Sequence, residues 1–172
     1  REKGIQLTEH VFYEDVEYAT IPCCFARTIS CADLFLYEYR IGDVQQSVSN
    51  ENQLKRIGHT ETVLRRLTTE YHKLPLAQNA GGRRYVAMKA MGLLLSYLTT
   101  AMLVDPDKKR GREKGRTMME YFRKEIPQVY EGTKKKYELF RMMNLCHISK
   151  QTFEKILHSR LYNRVRNNHN FD

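Results

Sequence analysis

The sequence lacks the features that define several protein classes. Its 172 residues include four prolines and nine glycines, and 41% of the residues are hydrophobic and 28% charged, which excludes collagen-like, low-complexity and wholly disordered chains. No secretory segment is recognisable. The four cysteines, Cys23, Cys24, Cys31 and Cys146, show neither a regular disulfide spacing nor the C-x2-C pairs of zinc sites. We expect reduced, buried thiols in a cytoplasmic protein.

Basic residues are scarce in the first third of the chain and abundant in the rest. Residues 1–60 contain six basic and nine acidic side chains, a net charge of −3, whereas residues 61–172 contain 23 basic and 11 acidic side chains, a net charge of +12. The basic excess favours an anionic partner, but it does not discriminate between nucleic acid, lipid and phosphorylated ligands. The sequence begins at Arg1 without a methionine, and we expect it to be part of a longer chain.

The pattern of apolar residues predicts an α+β fold that is predominantly α. A helix is predicted near 14–27, short strands near 28–31 and 34–40, and a polar loop from Gly42 to Asn52. Strand signals then vanish, and breaks at proline and glycine separate a series of helices. These helices are predicted at 51–73, 83–104, 112–125, 128–145 and 149–166. We therefore divide the chain into residues 1–50 and a helical C-terminal extension, residues 51–172.

The stretch from Ala90 to Val104 contains no charged residue. It is too short to span a membrane comfortably, and we predict the buried central helix of a small bundle. The alternative is an element on a membrane surface, since the basic run from Lys108 to Arg112 follows it.

The most informative local pattern is a pair of aromatic residues followed directly by two acidic residues. It lies within the segment Phe12-Tyr13-Glu14-Asp15-Val16-Glu17-Tyr18. Acidic residues are favoured at any helix start by the helix dipole, so a structural explanation is open. The wider order of segments is more specific. It comprises Gly4-Ile5-x-Leu7, the carboxylate segment, Ala26-Arg27-Thr28-Ile29-Ser30, Leu36-Tyr37-Glu38-Tyr39-Arg40-Ile41-Gly42 and Gln46-Ser47-Val48-Ser49. Over residues 4–50 this order resembles the second half of a bacterial-type family 2 glycosyltransferase.

The resemblance implies a GT-A-fold, inverting enzyme of polysaccharide biosynthesis that transfers a sugar from a nucleotide-sugar donor to a saccharide or other hydroxyl acceptor. Asp15 matches the general base, and a carboxylate open to substrate suits that role. Glu14 would position the acceptor or the loop. Arg40 would face the diphosphate or pair with a carboxylate. The remaining candidates for lining the site are Gln46, Ser47 and Ser49.

One family element is missing from this sequence. Members carry an Asp-x-Asp motif that binds a divalent metal, Mg or Mn, in a nucleotide-binding half, and we expect that metal in the parent enzyme at a site outside this chain. Asp105-Pro106-Asp107 has the right letters but lies far downstream, where it predicts a turn. We accordingly expect this segment to be inactive alone. A metal site formed by His10 and Glu14, four residues apart, is a weaker hypothesis than local hydrogen bonding, and the other histidines are read as surface or packing residues.

Two alternative functions compete with sugar transfer. Residues 142–166 have the outline of a helix-turn-helix, and its phosphate contacts would come from Lys150, Lys155, Arg160, Arg164 and Arg166. Solvated basic hairpins are commoner than recognition helices, so no nucleic acid is expected as a partner. The basic helices are also suited to docking on a partner protein or on the anionic inner face of the cell membrane.

Overall fold

A computed structural model describes residues 4–26, 28, 30–35, 50–77 and 79–157 of the chain, and within them the fold is predominantly α-helical with no strand. The elements follow one another as α1 (Glu14–Thr20), a short 3₁₀ helix (Pro22–Phe25), α2 (Asn50–Lys55), α3 (Ile57–Lys73), α4 (Ala80–Thr99), a π-helical segment (Thr100–Val104), α5 (Lys108–Glu125), α6 (Pro127–Leu145) and α7 (Lys150–Leu157).

The helical series predicted for the C-terminal region is confirmed, with changes at the helix ends. The first predicted helix is divided at Arg56 into α2 and α3. Helices α4 and α5 begin three or four residues earlier than predicted, because the side chains of Asn79 and Asp107 accept backbone N–H groups at their N-termini. Residues 158–166 of the last predicted helix lie outside the described residues.

The predicted strands are wrong where the structure describes them. Residues 28 and 30–35 form no strand, and the side chains of Leu34 and Phe35 are exposed to solvent. An isolated strand would leave its backbone groups unpaired, so a favourable residue composition is insufficient without a neighbouring strand. Residues 36–40 lie outside the described residues. The helix predicted near 14–27 ends at Thr20, and the 3₁₀ helix begins at Pro22, which cannot donate a helical hydrogen bond.

The core surrounds α4, as predicted for the uncharged stretch. This helix contacts α1, the 3₁₀ helix, α3, the π-helical segment and α6. Its inward residues include Val86, Ala90, Leu94 and Leu98, all fully buried. They pack in one apolar cluster with buried residues of the neighbouring elements, among them Val63, Leu64, Leu67, Met102, Phe122 and Val129.

Among the described helices, one run, Ala80–Val104, is long and apolar enough to cross a membrane. Of its most apolar window, 56% is buried inside the protein. In this structure the run serves as the core helix of the bundle.

The turn from the π-helical segment into α5 is the Asp105-Pro106-Asp107 sequence, as predicted. Asp105 is fully buried and accepts two hydrogen bonds from Arg110, at 3.0 and 2.8 Å, and one from the Asp107 N–H at 2.9 Å. Burial by itself would raise the pKa of the Asp105 carboxyl, but these hydrogen bonds outweigh it and leave the pKa below its ordinary value.

The first part of the chain packs on the helical bundle. The Tyr85 hydroxyl donates to the Ala19 carbonyl at 3.1 Å, and Asn79 Nδ2 donates to the Cys24 carbonyl at 2.9 Å. Ile21, between α1 and the 3₁₀ helix, is buried. The described residues of 4–26 thus share packing with α4, while the division of the chain at residue 50 stays a prediction.

Candidate functional site

Helix α1 begins with the carboxylates predicted for catalysis. Tyr13, immediately before the helix, adopts the left-handed conformation with φ of 74°, and its carbonyl accepts the Val16 N–H at 3.1 Å. Glu14 and Asp15 follow in the first turn with exposed side chains. The free N–H groups of the first turn stabilise negative charge at both positions. The two carboxylates are therefore open to a ligand from solvent.

Glu17, the third acid of this turn, points into the protein. It is fully buried, and its Oε2 accepts the Thr8 N–H at 2.9 Å. Its Oε1 has no hydrogen-bond partner within the described part of the chain. Glu17 thus attaches the extended segment before α1 to the helix, a structural role that the sequence did not distinguish from those of its neighbours.

Asp15 lies at a cavity of about 390 Å³ between α1 and α4. On α1 the cavity is lined by Asp15, Val16 and Ala19, and on α4 by Met88, Lys89, Gly92, Leu93 and Ser96. Apart from its chain neighbours and the nearby backbone of α4, no atom of the described residues lies within 4 Å of the position that a Cβ on Gly92 would take. The absent side chain therefore leaves space in the wall of the cavity, which combines a carboxylate, an ammonium and a hydroxyl with an apolar surface.

The other predicted site residues are not brought to this cavity by the described structure. Glu14 does not line it. Arg40, Gln46, Ser47 and Ser49 lie outside the described residues, so their proposed contacts stay predictions.

The two-residue metal hypothesis loses its geometric basis. His10 lies in a turn with φ of 58°, ahead of the first residue of α1, so it does not share a helical face with Glu14. Within the described ranges, no three His, Cys, Asp or Glu side chains converge where they could bind a metal ion. The residues described here therefore do not fit the divalent metal that the resemblance implies.

The approach to α1 is fixed by a cluster that the sequence did not reveal. The Arg56 guanidinium lies 3.4 Å from the centre of the Phe12 ring, a cation–π contact. The ring of His59 meets the same ring edge-on at 5.6 Å, and His59 Nδ1 accepts the Phe12 N–H at 3.3 Å. These residues are 44 and 47 positions from Phe12, so no local spacing predicts the contact.

The prediction of buried thiols is correct for Cys24 alone. Its thiol donates to the Thr20 carbonyl at 3.3 Å, and its pKa is raised, chiefly by burial and then by the neighbouring Cys23. Cys23, Cys31 and Cys146 are exposed. Cys23 and Cys24 differ because a single-turn 3₁₀ helix directs adjacent side chains to different sides.

The segment with helix-turn-helix outline uses part of its basic surface internally. Lys150 Nζ donates to Asn50 Oδ1 at 2.7 Å and lies 3.8 Å from Glu154. Phe153 packs edge-on against Phe140 of α6. Helix α7 thus packs on the bundle through the face that carries Lys150 and Phe153. The other predicted phosphate contacts at Arg160, Arg164 and Arg166 lie outside the described residues.

Comparison of the chain with protein-family models, with curated proteins and with solved structures gives no match in any of the three.

Proposed function

We propose that this chain carries the acceptor side of an inverting glycosyltransferase, with Asp15 as general base. The observation that supports the proposal is the position of Asp15, which is an exposed carboxylate at a helix N-terminus and lines a cavity of about 390 Å³. The donor-binding half and the divalent metal belong to the longer enzyme. That enzyme acts in the cytoplasm, at the inner face of the cell membrane.

The proposed reaction is a single displacement. Asp15 removes the proton of an acceptor hydroxyl while that oxygen attacks the anomeric carbon of the donor. The bond from that carbon to the diphosphate oxygen breaks on the opposite face, and the nucleoside diphosphate leaves with the electron pair. Inversion requires one base on the face opposite the leaving group. Glu17 is unsuited to this role because its side chain is fully buried.

The lining of the cavity suits part of a sugar acceptor. Met88 and Leu93 offer an apolar surface to a sugar ring, while Lys89 and Ser96 offer donors to its hydroxyl groups. Glu14, outside the cavity, positions the acceptor or the preceding loop, and Arg40, Gln46, Ser47 and Ser49 complete the site.

The direct test is the substitution Asp15→Asn in the complete enzyme. The assay measures the rate at which nucleoside diphosphate is released from a panel of nucleotide sugars in the presence of acceptor. We expect kcat to fall by about 10²–10⁴-fold, the usual contribution of a general base, with an unchanged circular dichroism spectrum. Asp33→Asn, at an exposed carboxylate outside the cavity, is the matched control. Turnover of Asp15→Asn within about tenfold of the parent enzyme would contradict the assignment.

A second substitution tests the cavity separately from the base. Gly92→Leu places a side chain in the open space at the cavity wall, and we expect it to raise the KM for the acceptor while the donor KM is unchanged. Gly58→Leu is the control, since Gly58 is also helical, exposed and free of neighbours at its Cβ position, but lies outside the cavity. Equal acceptor KM values in the two variants would exclude the cavity as the acceptor site.

A further inference from the structure

Another cavity, of about 580 Å³, lies along helices α5 and α6. Its walls carry five cationic side chains, three carboxylates and two tyrosines. The lining comprises Lys109, Arg112, Glu113, Arg116, Met119, Glu120 and Arg123 of α5, and Tyr130, Tyr137, Glu138 and Arg141 of α6. We call this surface the α5–α6 groove. The lining includes neither Glu14 nor Asp15.

The two helices are antiparallel, which sets the order of charges along the groove. Arg112 Nη1 donates to Asn144 Oδ1 at 2.6 Å, and the Thr133 hydroxyl lies 3.6 Å from the sulfur of Met119. The start of α5 thus lies beside the end of α6. Because Arg141 belongs to that end of α6, it shares one end of the groove with Arg112, and the middle lies between Arg116 and Tyr137.

Five cations against three carboxylates leave the groove with a net positive charge, and most of the cations have no direct partner among the described residues. Lys109, Arg116 and Arg123 form no hydrogen bond or ion pair with any residue that the structure describes, and Arg141 makes a long contact of 3.4 Å to Glu138. Cations grouped in a concave surface reinforce one another's potential, and a bound anion lowers that energy. The groove therefore favours an anionic ligand.

One guanidinium of the groove is oriented before any ligand arrives. Asn144 is fully buried, and its Nδ2 donates to the Met102 carbonyl of the π-helical segment at 2.6 Å. The same amide accepts from Arg112 through Oδ1, which fixes one nitrogen of that guanidinium against a neutral group. The remaining donors of Arg112 stay available for a second acceptor, and such preorganisation lowers the entropic cost of binding.

We propose that the α5–α6 groove binds a small molecule that carries a phosphate or diphosphate group on a ring, such as a nucleotide or a sugar phosphate. The anionic group is bound in the half of the groove that runs from Arg112 and Arg141 at the end to Arg116 at the middle. The ring packs on Tyr137, which is half-buried in the same groove. The cavity volume is within the range of small-molecule sites. Three carboxylates in the groove oppose a long polyanion, which would have to pass each of them.

The test is isothermal titration of the full chain with pyrophosphate and with adenosine diphosphate, at low and at physiological ionic strength. We expect both to bind, more weakly at the higher ionic strength. Arg116→Gln and Arg141→Gln should each lower the affinity for both ligands by about tenfold, because each removes one charge-assisted hydrogen bond. Both arginines are exposed, so their removal leaves the core intact. Tyr137→Ala should lower the affinity for adenosine diphosphate more than the affinity for pyrophosphate.

The controls are Lys124→Gln on α5 and Lys135→Gln on α6, at exposed lysines outside the groove. Unchanged affinities in both are expected. The proposal is overturned by three results: no binding of either phosphate compound, equal losses in the control variants, or tighter binding of duplex DNA or anionic vesicles through the same arginines. It does not depend on the sugar-transfer proposal, since none of these variants touches Asp15.

Discussion

Asn79 joins two elements by using both ends of its amide. Its Nδ2 donates to the carbonyl of Cys24 at 2.9 Å, and its Oδ1 accepts the N–H of Gly82 in the first turn of α4, also at 2.9 Å. A Cβ on Gly82 would collide with the Asn79 side chain. The cap of α4 and the attachment of the 3₁₀ helix are therefore one structural unit.

Replacement of Asn79 should separate these two roles. Asn79→Asp keeps the acceptor that caps α4 but loses the donor to Cys24, whereas Asn79→Ala loses both. We expect the alanine variant to lose about 1–2 kcal/mol of unfolding free energy, typical of a lost N-cap plus an unsatisfied carbonyl, and the aspartate variant to lose less. Urea denaturation measures both. An aspartate variant as unstable as the alanine variant would show that the cap contributes nothing.

Two glycines of the bundle should respond oppositely to alanine. At Gly111 of α5 a Cβ would meet the backbone carbonyl of Ala101, so that the close approach of α5 to the π-helical segment requires glycine. Gly111→Ala should destabilise by about 1–3 kcal/mol, as overpacking does. At Gly92, in open space within α4, alanine should stabilise by about 0.5–1 kcal/mol because it restricts the unfolded chain. Thermal unfolding of the pair checks the prediction, and a stabilised Gly111→Ala would contradict this helix packing.

Asp105 should make the fold sensitive to acid. Its pKa is lower in the folded protein than its ordinary value of about 3.9, so its contribution is complete above that value and is lost as the pH falls through the folded pKa. Asp105→Asn should lower the free energy of unfolding by about 1–3 kcal/mol at neutral pH, because an amide forms weaker hydrogen bonds to Arg110.

The measurement is the free energy of unfolding of both proteins from neutral pH to acid. The difference between parent and Asp105→Asn should shrink below pH about 4. Asp33→Asn, at an exposed position, is the control for removal of a carboxylate. A constant gap between the parent and Asp105→Asn would exclude the proposed linkage.

Glu17 should contribute to stability because its side-chain oxygen accepts the hydrogen bond of the Thr8 N–H. Glu17→Gln keeps an oxygen for the Thr8 N–H, whereas Glu17→Ala leaves that donor without its partner. We expect the alanine variant to lose about 1–3 kcal/mol and the glutamine variant to lose less. Asp15→Asn, exposed in the same turn, should change stability by no more than about 0.5 kcal/mol. Equal losses at Glu17 and Asp15 would contradict the assignment of Glu17 to structure.

The helices were predictable because their signals are local. Prolines, capping residues and the apolar period of each helix lie within a few positions of one another. The strands predicted near 28–31 and 34–40 are wrong where they fall on described residues, because strand propensity expresses a fit to neighbouring strands. No such neighbour exists among the described residues.

The candidate site was predictable only in part. Glu14, Asp15 and Glu17 look alike as acids of a first helical turn, and the direction of each side chain depends on what packs beside α1. Contact with the segment at Thr8 buries Glu17, while Asp15 lies at the cavity beside α4. The groove between α5 and α6 required the register of two helices, which the basic composition does not specify.

Short-range chemistry along the chain was sufficient to establish the helical breaks, the uncharged central helix and the carboxylates that open α1. Packing between distant segments decided which acid is buried, which cysteine is enclosed and which cations share one groove. The physical reason is range: caps and breaks act over a few residues, whereas burial and the field at a side chain depend on every element that surrounds it.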